Sequence, residues 1–251
     1  KYIPYHQVFK RVDTFDILDQ GLFEAYPNRD SLKYREVYDL EGIPTIYRGT
    51  LRRVGFSEAW NMFVQLGLTD DSYVIENSAK MTYRQFLESF LFYRMTDTIE
   101  LKLAYYLGIN VDSSNMLKLR WLGLFDDTKI KLIKATPAQI LQKILEEKLS
   151  LEPGDKDMIV MHHIFDYVKN GKSQRTKSSL VVKGDDPEYT AMAKTVGYPL
   201  GVFVTLFMDG DIKLKGVHLP VIKEIYEPVL KELRSFDVNF IEETEELNEV
   251  N

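Results

Sequence analysis

Apolar residues along the chain fall at helical spacing in some stretches and alternate or cluster in others. Val8 to Phe15 and Leu22 to Tyr26 are aromatic-rich and strand-like, and Thr45 to Leu51 reads as a further strand. Asp30 or Ser31 can cap a helix over Leu32 to Tyr38. Phe56, Ala59, Trp60, Phe63, Val64 and Leu66 line one face of a helix that Gly67 closes. From residue 80 to 150 almost nothing alternates. Thr82–Tyr93, Ile99–Leu107, Ser114–Leu124 and Pro137–Leu149 are four short helical patterns, the last with Thr136 as N-cap and Pro137 in its first turn. Two β-rich runs follow, Asp157–Lys169 and Gln174–Lys183, joined around the hairpin signal Asn170-Gly171. A long helical pattern over Pro187–Met208, a helix over Lys223–Ser235 and a short strand over Val238–Ile241 complete the chain, and the acidic last ten residues are expected to fray.

The order implies an α/β protein in which residues 1–79 and 151–251 form one body and residues 80–150 are an inserted helical lobe. The opening Lys1-Tyr2-Ile3-Pro4-Tyr5, without an initiator Met, is what a processed or truncated chain would show. Composition then excludes whole classes of function. The net charge is −6 and is spread along the chain, which argues against bulk attraction to nucleic acid. There is no cysteine, so disulfides, thiolate metal sites and a Cys nucleophile are all excluded. A cytoplasmic location is the expectation. The longest apolar run, Val196–Met208, is short for a bilayer span and contains Pro199, so no membrane partner is expected.

Candidate chemistry is sparse. No Gly-x-Gly-x-x-Gly follows a strand and no Walker loop occurs, because Gly171-Lys172-Ser173 lacks its upstream glycine and sits in a hairpin turn. A dinucleotide-binding (Rossmann) domain is thus not expected within this chain. His162 and His163 are adjacent on a strand and face opposite sides, so they are poorly placed to share a metal, and His6 and His218 stand alone. Two basic segments remain. Pro27-Asn28 ends a strand and sets Arg29 at a helix start, where its guanidinium either binds a carboxylate or pairs with Asp30 or Glu24 at the surface. On a strand, Arg48, Thr50 and Arg52 share one face, which is either a second carboxylate-binding spot or a solvated arginine-rich face. Gly197 and Gly201, one turn apart in Ala191–Gly201, permit close backbone packing in a core helix.

Five segments in the same order resemble the C-terminal half of glutamate-forming saccharopine dehydrogenase (saccharopine reductase). They are Tyr26-Pro27-Asn28-Arg29-Asp30-Ser31, Arg48-Gly49-Thr50-Leu51-Arg52, Met158-Ile159-Val160-Met161, Ala191 to Gly197 with Pro199, and Lys223 to Leu230. The chain departs from that family at Ala25, where Gly is common, and at Arg53-Val54, where Tyr-Lys is usual. The resemblance implies a mixed-sheet domain of the glyceraldehyde-3-phosphate dehydrogenase C-terminal type, an upstream Rossmann domain binding NADP or NAD, and a homodimer. It implies a role in lysine metabolism: reversible reduction of the imine between 2-aminoadipate semialdehyde and glutamate, giving saccharopine. It also implies that Arg29, Thr50, Leu51 and Arg52 bind the tricarboxylate, and it carries over no proton-transfer residue and no metal. Two rival readings are a free-standing carboxylate-binding or dimer-forming module, and a reductive-condensation enzyme with a cationic substrate.

Overall fold

A computed structural model describes residues 2–28 and 30–247 of the chain. The α/β class holds among them, but the strands form two three-stranded sheets, ordered β1-β2-β3 and β4-β5-β6, where one larger mixed sheet was expected. The chain divides into two compact units: residues 1–15, 23–27 and 52–150 make the first, and residues 16–22, 28–51 and 151–251 the second.

The first unit is a helical body. A four-residue turn of helix, α1 (Tyr5–Val8), stands where a strand from Val8 was expected, because Pro4 starts a helical turn and Phe9 bends in against Tyr26. The strands β1 (Asp13–Asp16) and β2 (Leu22–Pro27) follow. Beyond β3 (Gly49–Arg53) come α3 (Phe56–Leu66), α4 (Tyr83–Glu88), α5 (Ile99–Leu107), α6 (Ser114–Trp121) and α7 (Pro137–Leu149). Their apolar faces meet in one core that includes Phe63, Leu66, Phe86, Leu103, Met116, Leu119 and Ile140.

The caps explain the boundaries. Thr82 and Thr136 each form a reciprocal capping box, with Gln85 and Gln139 respectively. Gly67 ends α3 in the left-handed region at φ 80°, and the Leu68 N–H returns to the Phe63 carbonyl. Helix α4 stops at Glu88, short of the expected Tyr93, because the Ser89 hydroxyl donates to the Phe86 carbonyl and closes the turn.

The second unit contains the short helix α2 (Tyr34–Val37) and an antiparallel sheet, β4 (Met158–Lys169), β5 (Lys172–Lys183) and β6 (Ile241–Glu246). Asn170 and Gly171 both take positive φ, as the two-residue turn between β4 and β5 demands. The helices α8 (Ala191–Met208) and α9 (Lys223–Leu233) bury Ala191, Val202, Ile225, Val229 and Leu233 together with Leu180 and Val182 of β5. Helix α8 continues through Pro199 and is long and apolar enough, by length and composition, to cross a membrane. The shorter run read from the sequence missed this, since the helix also takes in Ala191–Thr195. Most of its surface is exposed: Met192, Val196, Leu200, Val204 and Met208 all remain open.

The acidic end is also ordered further than expected. Ile241–Glu246 pairs with β5 because each glutamate meets a polar or basic partner across the ladder. Lys172 Nζ lies 2.8 Å from Glu246 Oε1, Lys177 Nζ lies 3.1 Å from Glu245 Oε1, and Ser178 Oγ donates to Glu242 over 3.2 Å.

Candidate functional site

The turn from β3 into α3 is the most elaborated polar feature of the first unit. Gly55 takes φ 92°, a conformation that disfavours any side chain, and starts the helix. The buried Glu24 carboxylate of β2 covers that helix end, accepting the Gly55 N–H at Oε2 over 3.0 Å and the Ser57 N–H at Oε1. Lys118 of α6 donates from Nζ to the Gly55 carbonyl (3.1 Å) and to Asn115 Oδ1 (3.2 Å). A helix start that would otherwise expose bare N–H groups is thus satisfied by a charge of the favourable sign.

Aromatic rings stand beside this turn. Phe56 is stacked between Tyr26 (centroids 6.1 Å apart, planes 13° apart) and Trp60 (5.4 Å, 16°). Phe9 touches Tyr26 at 4.7 Å, and Phe63 meets Trp60 edge-on at 5.6 Å. The exposed Arg52 holds its Cζ 5.4 Å from the Phe56 centroid, and Arg53 places its own 4.4 Å from that of Phe23. The departures from the family pattern are accommodated here. Ala25 is buried without strain in β2, and Arg53 finds a ring.

Thr50 and Leu51, half-buried on β3, belong to the second unit, whereas Arg52 opens the long stretch of the first. The burial of β3 does not alternate cleanly, so the one-face grouping of Arg48, Thr50 and Arg52 is not reproduced. Arg48 precedes the strand. Its carbonyl accepts the Asn28 N–H over 2.9 Å, and its guanidinium lies 3.9 Å from the centre of the Tyr34 ring. Arg29 lies outside the described residues. Its neighbour Asp30 accepts the Leu32 N–H over 2.9 Å, which turns the chain toward α2. The ring contacts at Tyr34, Phe56 and Trp60 were missed in the sequence. The signal was there in the i, i+4 spacing of Arg52, Phe56 and Trp60.

Two open grooves of about 480 and 510 Å³ flank the β4–β5–β6 sheet. His163, with Arg234, Asn239 and Glu242, lines the first; His162, with Lys177, Ser179 and Glu243, lines the second. The adjacent histidines therefore do point apart. Burial holds both imidazoles below their ordinary pKa, and His162 is lowered further by His163 and Lys177.

Nothing described offers a seat for a dinucleotide. The one glycine-led strand-to-helix turn, at Gly55, has its N–H groups occupied by the Glu24 carboxylate, which would repel a pyrophosphate.

An α/β module with arginines held against rings beside a capped helix is a binding domain rather than a complete redox enzyme. Residues 1–238 match the family of saccharopine dehydrogenase C-terminal domains, and the chain belongs to that family. It is 36% identical over 222 residues to rat mitochondrial alpha-aminoadipic semialdehyde synthase, covering 86% of this chain and 24% of that protein. It is 32% identical over 220 residues to the NADP(+), L-glutamate-forming saccharopine dehydrogenase of Saccharomyces cerevisiae, covering 84% of this chain and 49% of that one. The structure of apo saccharopine dehydrogenase (L-Glu forming) from the same yeast superposes with a TM-score of 0.82 at 29% identity, over 95% of this chain and 55% of that chain. The chain thus spans about a quarter of the mammalian relative and about half of the fungal ones.

Proposed function

We propose that this chain is the substrate-binding and dimerisation half of a glutamate-forming saccharopine dehydrogenase, working with an NADP-binding domain outside it. The observation that carries the reading is the family match over residues 1–238, combined with Arg52 beside the anchored start of α3. Saccharopine has three carboxylates, and a guanidinium offers each a planar, two-pronged set of N–H donors. On this reading Arg29 and Arg52 hold carboxylates, the Thr50 hydroxyl adds a hydrogen bond, and Leu51 supplies apolar contact. This chain binds and orients; hydride chemistry belongs to the coenzyme and the domain that holds it.

The finer assignment belongs to the same proposal: a glyceraldehyde-3-phosphate dehydrogenase C-terminal-like body carrying the helices of 80–150 as its lobe. Its support is the packing of α8 and α9 against the antiparallel β4–β6 sheet. The homodimer rests on α8. Its exposed Met192, Val196, Leu200 and Val204 recur every fourth residue, and a Cβ added at Gly197 or Gly201 would meet nothing within 4 Å. Such a ridge of small residues lets a second helix approach closely. We assign that face to a second copy rather than to lipid. Light scattering at tens of micromolar should give twice the 29.3 kDa chain mass, and a monomer at that concentration ends the assignment.

The functional test is saccharopine-dependent NADP reduction by the full-length protein. Arg29→Ala and Arg52→Ala should each raise the saccharopine KM roughly ten- to a hundredfold, the loss of one charge-assisted contact. Unchanged turnover in the double variant would sink the reading and favour a substrate without carboxylates.

A further inference from the structure

Arg52 and Phe56 are separated by the tight Arg53-Val54-Gly55 turn, which brings the end of β3 back onto the first residue of α3. The ring Arg52 meets is not a mobile surface phenylalanine. Phe56 is stacked on both sides, by Tyr26 from β2 and by Trp60 one turn further along α3. The helix that carries it is fixed at its start by Glu24 and Lys118. Every element under the Arg52 guanidinium is therefore anchored, while Arg52 itself is exposed.

An exposed arginine ordinarily gives up considerable side-chain freedom when it grips a ligand. A guanidinium resting on a fixed ring face has given up part of that freedom beforehand, and keeps its N–H edge free to meet a carboxylate in the plane. We propose that Phe56 is a positioning residue: through its π-face it holds the Arg52 guanidinium ready for a substrate carboxylate, with Tyr26 and Trp60 fixing the ring. This rests on the reading of Arg52 as a carboxylate ligand. Phe56 touches no reacting atom, so its effect falls on saccharopine affinity and leaves the chemical step alone.

The test compares Phe56→Leu, Phe56→Tyr and Arg52→Lys, singly and with Phe56→Leu added to Arg52→Lys, in the full-length protein. Phe56→Leu keeps the apolar bulk and removes the ring face; it should raise the saccharopine KM about two- to tenfold, with kcat and the coenzyme KM within about twofold. Phe56→Tyr restores a ring and should restore the KM. Because lysine lacks the planar fork, Phe56→Leu should add much less on top of Arg52→Lys than it does alone. An equal, additive rise in both backgrounds, or an unchanged KM in Phe56→Leu, overturns the proposal. Arg52→Ala separates the two levels. If it leaves the saccharopine KM untouched, the carboxylate reading fails; if it raises the KM while Phe56→Leu does not, only the positioning role fails. Should Phe56→Leu not fold, mono- and trifluorinated phenylalanine at position 56 keep the shape and withdraw charge from the ring face. The KM should then climb with fluorination, and a flat series overturns the proposal.

Discussion

The Glu24 carboxylate accepts the Gly55 N–H over 3.0 Å, so a buried acid of β2 is the cap of a helix that starts thirty-one residues later in the chain. Its second oxygen takes the Ser57 N–H. Neither oxygen reaches bulk water, since Glu24 is 6% exposed. Glu24→Ala leaves two buried N–H groups without a partner and should destabilise by about 2–3 kcal/mol, or roughly 5–10 °C in melting temperature. Thermal denaturation followed by circular dichroism checks it. A variant melting within a degree of the parent would show that water satisfies the helix end equally well.

Gly55 should tolerate no side chain. At φ 92°, Gly55→Ala pays a backbone penalty, and the new Cβ would stand 3.2 Å from Lys118 Nζ, disturbing the hydrogen bond that Lys118 gives the Gly55 carbonyl. A loss of about 1–3 kcal/mol is expected. Gly197→Ala makes the opposite case. That glycine lies within α8 in open space, so alanine should favour the monomeric helix by up to about 1 kcal/mol. If the α8 face pairs two copies, the same change should weaken the dimer. Melting and light scattering on one pair of variants separate the two effects.

Which elements were legible follows from where their information lies. Helices α3, α5 and α7 carry their own start and stop residues, and their observed bounds coincide with the expected ones. The Asn170-Gly171 hairpin is equally local. Strand β6 has no such record. Five of its six residues are polar, all six are exposed, and their order comes from lysines on β5 some seventy residues earlier. The candidate site divides in the same way. Arg52 is visible as one arginine among several, but the ring beneath it depends on Tyr26 and Trp60 arriving from different elements. Pattern alone assigns Arg48 to the strand face; the structure spends it on Tyr34 and Asn28.

The two adjacent histidines give stability a pH dependence of definite sign. Both have folded-state pKa values below the ordinary one, chiefly through burial. The unfolded chain therefore takes up protons near pH 6.5, before the folded chain does. Their contribution is complete above about pH 6.5 and is lost as pH falls from there through the folded values. His163 keeps much of its surface accessible while its ring lies against Phe165 and Phe240, so the effect is modest. The melting temperature should fall by about 2 °C or less across this window. His163→Phe, which keeps an aromatic contact and cannot take up a proton, should flatten it. A slope unchanged in both His163→Phe and His162→Gln would assign the dependence to other groups.

The acidic strand β6 should matter more for its backbone than for its charges. Lys172–Glu246 and Lys177–Glu245 are solvent-exposed pairs, each worth about 1 kcal/mol or less and weaker in salt. Glu245→Gln with Glu246→Gln should therefore lower stability only slightly, and less again at high ionic strength. Ending the chain at Phe240 removes the whole ladder from Gln174↔Glu246 to Ser179↔Ile241, and with it the Thr176–Thr244 hydroxyl contact of 2.8 Å. That leaves the β5 edge bare over six residues, a surface on which strands of other molecules can pair. The truncated chain should aggregate on concentration, as read by light scattering, while the double glutamine variant stays soluble. If the glutamine variant aggregates as readily as the truncation, the glutamates protect the edge by repulsion rather than by occupying it.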